Sequence, residues 1–379
     1  MKVLIKLGIF CLNVVYFFMK LCKTKNKITF ISRQSNKPSV DFRLLEKELS
    51  KKYEVVMLCK TLDNGLMNKI KYFRHLFRQM YHIATSKVVI LDTYCISIGI
   101  LKHKKSLKVI QMWHALGSFK KFGKSIIGKD ESSVNISVMN KIKVNDISEV
   151  MGMHKNYDYI FASSEEACKG FAQAFGYPLD YLRVFPLPRV DLILDPKNQK
   201  NVKKKIFDKY KELKHKKNIL YCPTFRKDNS DLKYINELVD KVDYNKYNLI
   251  LKLHPLTEYD IKDDRVVVDK TFNTYEMAYV SDYIITDYSA VIFEVSLLNK
   301  PIFLYAYDKD NYVNKRDFYL NYDLDMPGKI YTDVDGLLKN INNNNYDYNK
   351  LIEFKNKYIS DCKKSYTEDI VSFIESLID

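Results

Sequence analysis

Two of the seven histidines stand directly after apolar runs of the chain. His114 follows the run 107–113, and His254 follows the run 247–253. Histidine takes up and releases a proton near neutral pH, and open parallel sheets bind their ligands at the carboxyl ends of the strands. If both runs are strands, His114 and His254 are placed for catalysis or for contact with a phosphate. The alternative is that each histidine is a hydrogen-bonded structural residue of its strand end.

Polar side chains also follow two further apolar runs, 218–222 and 283–286. They are Thr224, Arg226, Asp287, Tyr288 and Ser289. We expect Ser289 to cap a helix over 290–298, whose free backbone N–H groups and dipole would favour a phosphate. The alternative is that Asp287 and Ser289 only cap this helix, because capping and phosphate binding use the same residue types.

Other patterns argue against common nucleotide enzymes. The segment 117–125 resembles a P-loop, but five residues separate its glycines where that loop needs four. Its lysines Lys120 and Lys121 are still expected to contact an anionic substrate. No Gly-x-Gly-x-x-Gly pattern occurs, which disfavours dinucleotide oxidoreduction. The pair Asp323 and Asp325 is too short a pattern to indicate a metal site. No cofactor is therefore predicted, and Mg²⁺ stays an open alternative that the sequence does not indicate.

The composition points to a globular protein with an anionic partner. The 379 residues are 46% hydrophobic, which is enough for about two packed domains. The formal net charge is +16, which favours a phosphate ester, a nucleic acid or an acidic lipid as partner. The seven cysteines are scattered and form no C-x-x-C pair, so neither a disulfide framework nor a zinc site is indicated. A reducing cytosol fits this pattern.

The first 21 residues are apolar apart from Lys2, Lys6, Asn13 and Lys20. A signal peptide would need a small-residue cleavage site after the apolar run, and none follows. A spanning helix needs about 20 apolar residues, whereas an interfacial helix flanked by lysines needs fewer and gains from anionic headgroups. We therefore expect residues 1–25 to form a membrane-associated helix on the cytoplasmic face, with a true span or a core helix as alternatives.

Short apolar runs alternate with segments of helical period, which is typical of parallel α/β folds. The predicted strands are 27–32, 53–59, 87–92, 107–113 and 157–162, followed by 218–222, 247–253, 266–268, 283–286 and 302–305. The predicted helices of this first half are 41–51 and 66–85, which lie between its strands, and 164–175, which follows its fifth strand. Two Rossmann-like domains follow, 26–190 and 191–379. The linker is placed at 186–191, before the lysine-rich stretch 197–205, and a terminal helix at 350–377.

Together these residues resemble the CDP-glycerol glycerophosphotransferase family of teichoic acid synthesis. The resemblance rests on ordered motifs over most of the chain, at 30–36, 41–43, 111–117, 120–123, 186–191, 221–226, 252–255, 286–289, 316–319 and 327–328. It implies a GT-B fold, in which the two Rossmann-like domains face each other across a cleft. The short chain resembles the priming members of the family, which add a single unit.

The resemblance also implies a reaction and roles for the residues. An acceptor hydroxyl would attack the β-phosphorus of CDP-glycerol, and CMP would leave. His114 would be the general base, because the N-terminal domain of this fold generally receives the acceptor. His254, Arg226, Ser289 and the N–H groups after Asp287 would hold the diphosphate, with Arg316 as a further candidate and Thr224 and Tyr288 beside it. The acceptor would be an undecaprenyl-diphosphate-linked saccharide at the cytoplasmic face of the membrane, without nucleic acid.

Three other functions stay open from the sequence. A ribitol-phosphate or capsule-polymer transferase would share the phosphate-handling motifs and differ in the polyol pocket. A GT-B sugar-nucleotide glycosyltransferase would release a nucleoside diphosphate instead of CMP. A basic RNA-binding or scaffold protein would account for the net charge but would leave the two strand-end histidines unexplained.

Overall fold

The computed structural model describes residues 2–63, 65–126, 148–226, 229–254, 256–257, 261–315 and 317–378. The chain divides into two compact units. The first comprises Met1–Ala115, Phe122–Arg189 and Ser360–Asp379, and the second comprises Leu116–Lys121 and Val190–Ile359. Each unit contains one six-stranded sheet, and every strand pairing in both sheets is parallel.

The sheet of the first unit has the order β2-β1-β3-β4-β5-β6. Its strands are β1 (Lys27–Ser32), β2 (Glu54–Cys59), β3 (Val88–Leu91), β4 (Lys108–Gln111), β5 (Tyr159–Ala162) and β6 (Leu182–Val184). Every residue of β1 and β3 is buried. A strand that is covered on both faces favours a continuous apolar run, as in the Val-Val-Ile-Leu sequence of β3. In β1, Lys27, Thr29 and Ser32 are buried polar residues, and Lys27 and Thr29 hydrogen-bond to Thr85 and Ser86.

The helices of the first unit are α1 (Lys2–Met19), α2 (Val40–Leu49), α3 (Leu66–Thr85), α4 (Ile96–Ile100), α5 (Glu165–Phe175) and α14 (Tyr366–Ser376). Helix α6 (Arg189–Leu194) begins at the last residue of the first unit's stretch Phe122–Arg189 and continues into the second unit. Serine side chains cap α2, α5 and α14, where Ser39, Ser164 and Ser365 accept hydrogen bonds from the first turn. Phe373 of α14 packs against Phe161 and Phe185, which explains why the C-terminal residues belong to this unit.

The N-terminal helix α1 packs against α3 and is otherwise largely exposed. Tyr16 is its buried residue, and its hydroxyl lies 3.0 Å from Nδ1 of His103. Asn13 donates to the carbonyl of Ile100 at 3.0 Å. The outer residues include large apolar side chains, namely Val3, Leu4, Leu7, Phe10, Val14, Val15, Phe17 and Phe18. By length and composition alone, α1 could cross a membrane.

The sheet of the second unit has the order β12-β11-β10-β7-β8-β9. Its strands are β7 (Lys217–Cys222), β8 (Tyr247–Leu251), β9 (Val266–Val268), β10 (Tyr283–Thr286), β11 (Ile302–Tyr305) and β12 (Ile330–Tyr331). The remaining helices are α7 (Pro196–Lys209), α8 (Leu232–Lys241), α9 (Thr274–Tyr279), α10 (Val291–Ser296), α11 (Lys309–Lys315), α12 (Val334–Asn342) and α13 (Tyr348–Tyr358).

The predicted α/β alternation is confirmed, and all ten predicted strands are present. Four of them, β1, β9, β10 and β11, have the predicted ends, and the other six differ at one or both ends. Strands β6 and β12 were not predicted, because three and two residues at a sheet edge are too short for a periodic signal. The lysine-rich stretch 197–205, which follows the predicted linker, lies inside α7. The predicted terminal helix 350–377 is two helices, α13 and α14, because Ser365 starts a new helix after an irregular segment.

The two units differ from the predicted division at 190 in two places. Residues 360–379 cluster with the first unit, whereas the predicted second domain ran to 379. Residues 116–121 cluster with the second unit although they lie inside the predicted first domain, because Phe119 packs against Phe293 and Phe318.

Candidate active site

The backbone turns sharply after β4 to present His114. Trp113 has a φ of +61°, a left-handed conformation that is strained for a bulky side chain. Its N–H donates to the side-chain oxygen of Gln111 at 3.0 Å, and its ring stacks on Phe122 with centroids 4.8 Å apart. Packing and hydrogen bonding thus stabilise a turn that the backbone alone would disfavour. Such strain is common where a side chain must be aimed at a ligand.

The half-buried ring of His114 is oriented by the main chain of another strand end. Its Nδ1 lies 2.8 Å from the carbonyl oxygen of Asp92, just after β3. A carbonyl oxygen only accepts, so Nδ1 carries the hydrogen and Nε2 carries the lone pair of the neutral ring. Burial, reinforced by the nearby charge of Arg189, holds the pKa of His114 below its usual value. His114 is therefore neutral at pH 7 and able to accept a proton at Nε2.

A buried ion pair between Asp41 and Arg189 stabilises this turn. Asp41 is only 1% exposed and accepts hydrogen bonds from the backbone N–H of Arg189 at 2.8 Å and from its Nε at 2.9 Å. The guanidinium of Arg189 also donates to the carbonyl of His114 at 3.3 Å. The two family-like motifs that contain Asp41 and Arg189, which are distant in sequence, therefore meet beneath His114.

In the second unit, the ends of β7 and β10 are joined through Asp287, which is fully buried. Its carboxylate accepts hydrogen bonds from the N–H and the hydroxyl of Thr224, at 2.8 and 2.6 Å. It also pairs with Arg226 at 3.2 Å. The predicted residues Thr224, Arg226 and Asp287 are thus brought together, and they bind one another.

Asp308, which the sequence analysis did not single out, completes this network. It pairs with Arg226 at 3.1 Å and accepts a hydrogen bond from the hydroxyl of Tyr288 at 3.0 Å. Burial and the Asp308 carboxylate raise the pKa of Tyr288, so the phenol stays protonated and donates. The guanidinium of Arg226 lies 4.6 Å from the ring centroid of Tyr312. Because two carboxylates face Arg226, its geometry favours a role in positioning the strand ends, and the predicted contact with diphosphate stays a prediction.

A cavity of about 530 Å³ opens at the carboxyl ends of β7 to β10. Its lining includes Pro223, Lys252, His254, Asp269, Thr271, Phe272, Asn273, Ser289 and Val291. The volume lies within the range of small-molecule sites. Ser289 lines this cavity, but it is not the predicted helix cap. Ala290 occupies the N-cap position and the helix is only Val291–Ser296, with the Ser289 hydroxyl 3.4 Å from the N–H of Val291. The predicted contact of Ser289 with a phosphate stays a prediction.

His254 is exposed at the rim of this cavity and is held differently from His114. Its Nδ1 accepts a hydrogen bond from the backbone N–H of Leu256 at 3.2 Å, so the neutral ring carries its hydrogen on Nε2. The ring of Phe225 stacks on it, with centroids 5.2 Å apart. Partial burial and the charge of Lys120 lower the pKa of His254. His254 can therefore donate a hydrogen bond to an anion at neutral pH.

One wall of the cavity is built around Asp269, another residue that the sequence analysis missed. Asp269 accepts hydrogen bonds from Lys252 at 2.8 Å, from the Tyr210 hydroxyl at 2.9 Å, and from the N–H groups of Thr271 and Phe272. A lone aspartate after the short strand β9 gave no motif signal. Its partners come from three separate segments of the chain.

The predicted lysines lie in the second unit. Lys121 pairs with Asp317 at 3.5 Å, and Lys120 lies 5.3 Å from the ring centroid of Tyr312. The charge of Lys120 also lowers the pKa of His254, together with the partial burial of that ring, whereas Lys121 is paired with Asp317. Arg316 lies outside the described residues.

The acidic pair that the sequence analysis set aside has structural partners. Asp323 pairs with Lys309, and Asp325 pairs with Lys357 at 2.8 Å. Within the described ranges, no group of three or more His, Cys, Asp or Glu side chains is arranged to hold a metal ion.

The chain is similar to proteins of teichoic acid synthesis over nearly its whole length. The family model described as CDP-glycerol:poly(glycerophosphate) glycerophosphotransferase matches residues 14–376. A teichoic acid ribitol-phosphate primase of Bacillus spizizenii is 32% identical over 93% of this chain and 92% of its own length. A teichoic acid glycerol-phosphate primase of Bacillus subtilis is 31% identical over 98% of this chain and 97% of its own. The solved structure of the wall teichoic acid polymerase TagF has a TM-score of 0.73 at 22% identity, covering 100% of this chain and 97% of that one.

Proposed function

Because the chain belongs to the CDP-glycerol:poly(glycerophosphate) glycerophosphotransferase family, we propose that it transfers glycerol phosphate from CDP-glycerol to a lipid-linked saccharide in teichoic acid synthesis. The observation that carries this proposal is the cavity of the second unit, where His254, Lys252 and Ser289 line a space of nucleotide size. The exposed N–H donor of His254, with the charge of Lys120 acting on it, suits the anionic oxygens of a nucleoside diphosphate ester.

The reaction assigns a separate task to each histidine. An acceptor hydroxyl attacks the β-phosphorus, and its proton moves to Nε2 of His114. A new P–O bond forms while the bond from the β-phosphorus to the bridging oxygen breaks, and CMP leaves with that oxygen and its electron pair. His254 donates a hydrogen bond from Nε2 to the departing phosphate, assisted by the charge of Lys120. Positioning and electrostatic stabilisation supply most of the rate enhancement in such transfers.

We assign the chain to single-unit addition on a lipid-linked acceptor. The chain aligns with nearly the full length of two primases, one of each polyol type. The helix α1 exposes apolar side chains, among them Phe10, Phe17 and Phe18, beside the lysines of the N-terminal segment. This combination suits an interfacial helix on an anionic leaflet, which would hold the enzyme at the level of the acceptor headgroup on the cytoplasmic face.

Membrane attachment has a direct test. Deleting residues 1–22 should release the protein from vesicles containing anionic lipid, and binding of the intact chain should weaken as salt is raised. If the truncated protein stays on the vesicles, the main membrane contact lies elsewhere.

The proposed reaction uses no resident metal. We expect chelation of divalent ions to leave nucleotide binding by the purified protein unchanged, as measured by calorimetry with CDP-glycerol. A large loss of binding on chelation would show that a metal helps hold the diphosphate.

Ribitol phosphate is the second candidate for the transferred group, and the similarity to a ribitol-phosphate primase favours it. The deciding experiment measures nucleotide release from CDP-glycerol and from CDP-ribitol, with a lipid-linked disaccharide as acceptor. CMP released from CDP-glycerol alone, and lost in His254→Ala, would establish the glycerol reaction. Turnover with CDP-ribitol alone would change the substrate and keep the mechanism. If neither donor releases CMP, a GT-B glycosyltransferase would be favoured.

A further inference from the structure

The loop after β1 brings a glutamine side chain against the ring of His114. The side-chain amide nitrogen of Gln34 lies 2.9 Å from Nδ1, the same ring nitrogen that contacts the carbonyl oxygen of Asp92. The backbone N–H of Gln34 donates to the hydroxyl of Ser32 at 3.1 Å, which fixes the loop where the strand ends. The contact therefore starts from an anchored backbone, although the Gln34 side chain itself is exposed.

The donors and acceptors at this contact allow only one ring nitrogen, Nδ1, to carry the hydrogen of the neutral imidazole. The Asp92 carbonyl can only accept, so Nδ1 must carry a hydrogen. A protonated Nδ1 has no lone pair for the amide N–H groups of Gln34. The contact is satisfied when the Gln34 amide turns its oxygen towards Nδ1, since an amide side chain offers its oxygen and its nitrogen at nearly the same place. Nδ1–H is then shared between two acceptors, one from the main chain and one from a side chain.

The charged groups around His114 come from three other elements. Burial lowers the pKa of His114, and the charge of Arg189 at the start of α6 lowers it further. Asp41 of α2 lies against that arginine. The carboxyl of Asp92, after β3, is 2% exposed, and burial raises its pKa to about 6. Neither carboxyl group is hydrogen-bonded to the imidazole. Among the described residues, Gln34 is the one side chain with a hydrogen-bonding contact to the His114 ring.

We propose that Gln34 is a positioning residue for the base: its amide oxygen and the Asp92 carbonyl share Nδ1–H, which keeps the lone pair on Nε2 and stabilises the imidazolium as the proton arrives. This inference rests on the role of His114 in the proposed function. Hydrogen bonds from a charged donor are stronger than those from a neutral one, so the contribution of Gln34 grows as the acceptor hydroxyl loses its proton.

The ring can be tested separately from turnover. Diethyl pyrocarbonate acylates neutral imidazole, so the pH dependence of modification at the peptide containing His114, followed by mass spectrometry, reports the pKa of that residue. In Gln34→Glu, a carboxylate faces Nδ1 and should raise the pKa of His114 by about one unit or more. Gln173→Glu is the matched control. Gln173 is an exposed residue of α5, and its replacement makes the same change of charge in the same unit. An unchanged pKa in Gln34→Glu, or an equal rise in the control, would overturn the proposal.

Activity then distinguishes the two proposals. The acid limb of the kcat profile should move upward in Gln34→Glu by the same amount as the pKa of His114. Gln34→Ala should lower kcat about fivefold, as expected for loss of one hydrogen bond, without raising KM for CDP-glycerol. If the pKa of His114 shifts while the acid limb stays in place, then the base role assigned under the proposed function is wrong, although Gln34 does act on the ring. If KM for the donor rises instead of kcat falling, Gln34 is not positioning the base.

Discussion

His114 and His254 stand at equivalent places in sequence, each after a buried strand, yet the structure gives them opposite chemistry. At His114 a carbonyl oxygen accepts a hydrogen bond from Nδ1–H, so Nε2 has the free lone pair and is the proton acceptor. At His254 a backbone N–H donates to Nδ1, so Nε2 is a hydrogen-bond donor. The difference teaches that the backbone partner of one ring nitrogen, and not the residue type, decides whether a strand-end histidine serves as base or as anion contact.

The strongest test of this contrast is at His114. Replacing it with alanine or glutamine should lower kcat by about 10³-fold, because neither side chain can accept the hydroxyl proton. Binding of CDP-glycerol, measured by calorimetry, should be unchanged, since the donor cavity is built in the other unit. Equal losses of turnover and donor binding would remove the base role from His114.

The next largest effect concerns the buried arginine of the second unit. Arg226→Met leaves Asp287 and Asp308 without their shared cation and should lower the free energy of unfolding by about 3–5 kcal/mol. Arg265→Met is the control, because solvent screens the exposed pair of Arg265 with Asp263 and its loss should change stability little. Denaturant titrations compare the two variants. If Arg226→Met unfolds like the wild type but loses only donor binding, Arg226 contacts the diphosphate and is not a positioning residue.

The donor role of His254 predicts a graded response to substitution. His254→Ala removes the hydrogen bond to the leaving phosphate and should lower kcat/KM about 10²-fold. His254→Asn keeps an N–H donor near the same place and should recover part of that loss. The corresponding change at His114 should recover nothing, because asparagine is no base. Identical activity of the two His254 variants would show that donation is not the function of this side chain.

The smallest expected effect is in the pH profile. The base must be neutral, and the pKa of His114 lies below its usual value of about 6.5. Activity should therefore fall as the pH drops through that lowered pKa and stay level above it towards neutrality. Protonated His254 still donates, so His254→Asn should keep the acid limb of the wild type. If the acid limb disappears in His254→Asn, then His254 and not His114 is the group that must be neutral for activity.

Much of the first unit's site followed from local patterns, whereas the network of the second unit did not. The strand that precedes His114 is a buried apolar run, and such runs can be identified without their neighbours. Arg226 looked like a free cation beside Thr224, because its partners Asp287 and Asp308 lie 61 and 82 residues further along the chain. Asp269 was missed for the same reason, since its partners Lys252 and Tyr210 lie 17 and 59 residues away.

The sequence by itself determined the α/β alternation, the two parallel sheets and the placement of His114 and His254 at strand ends, because hydrophobic periodicity and strand-end chemistry are local properties. The chemistry of those side chains depends on contacts that form only in the folded chain. The tautomer of His114 depends on a carbonyl 22 residues earlier, and the engagement of Arg226 depends on a carboxylate from another strand. Hydrogen bonds and charge pairs act over a few ångströms, so their partners are set only when the sheet brings distant strand ends together.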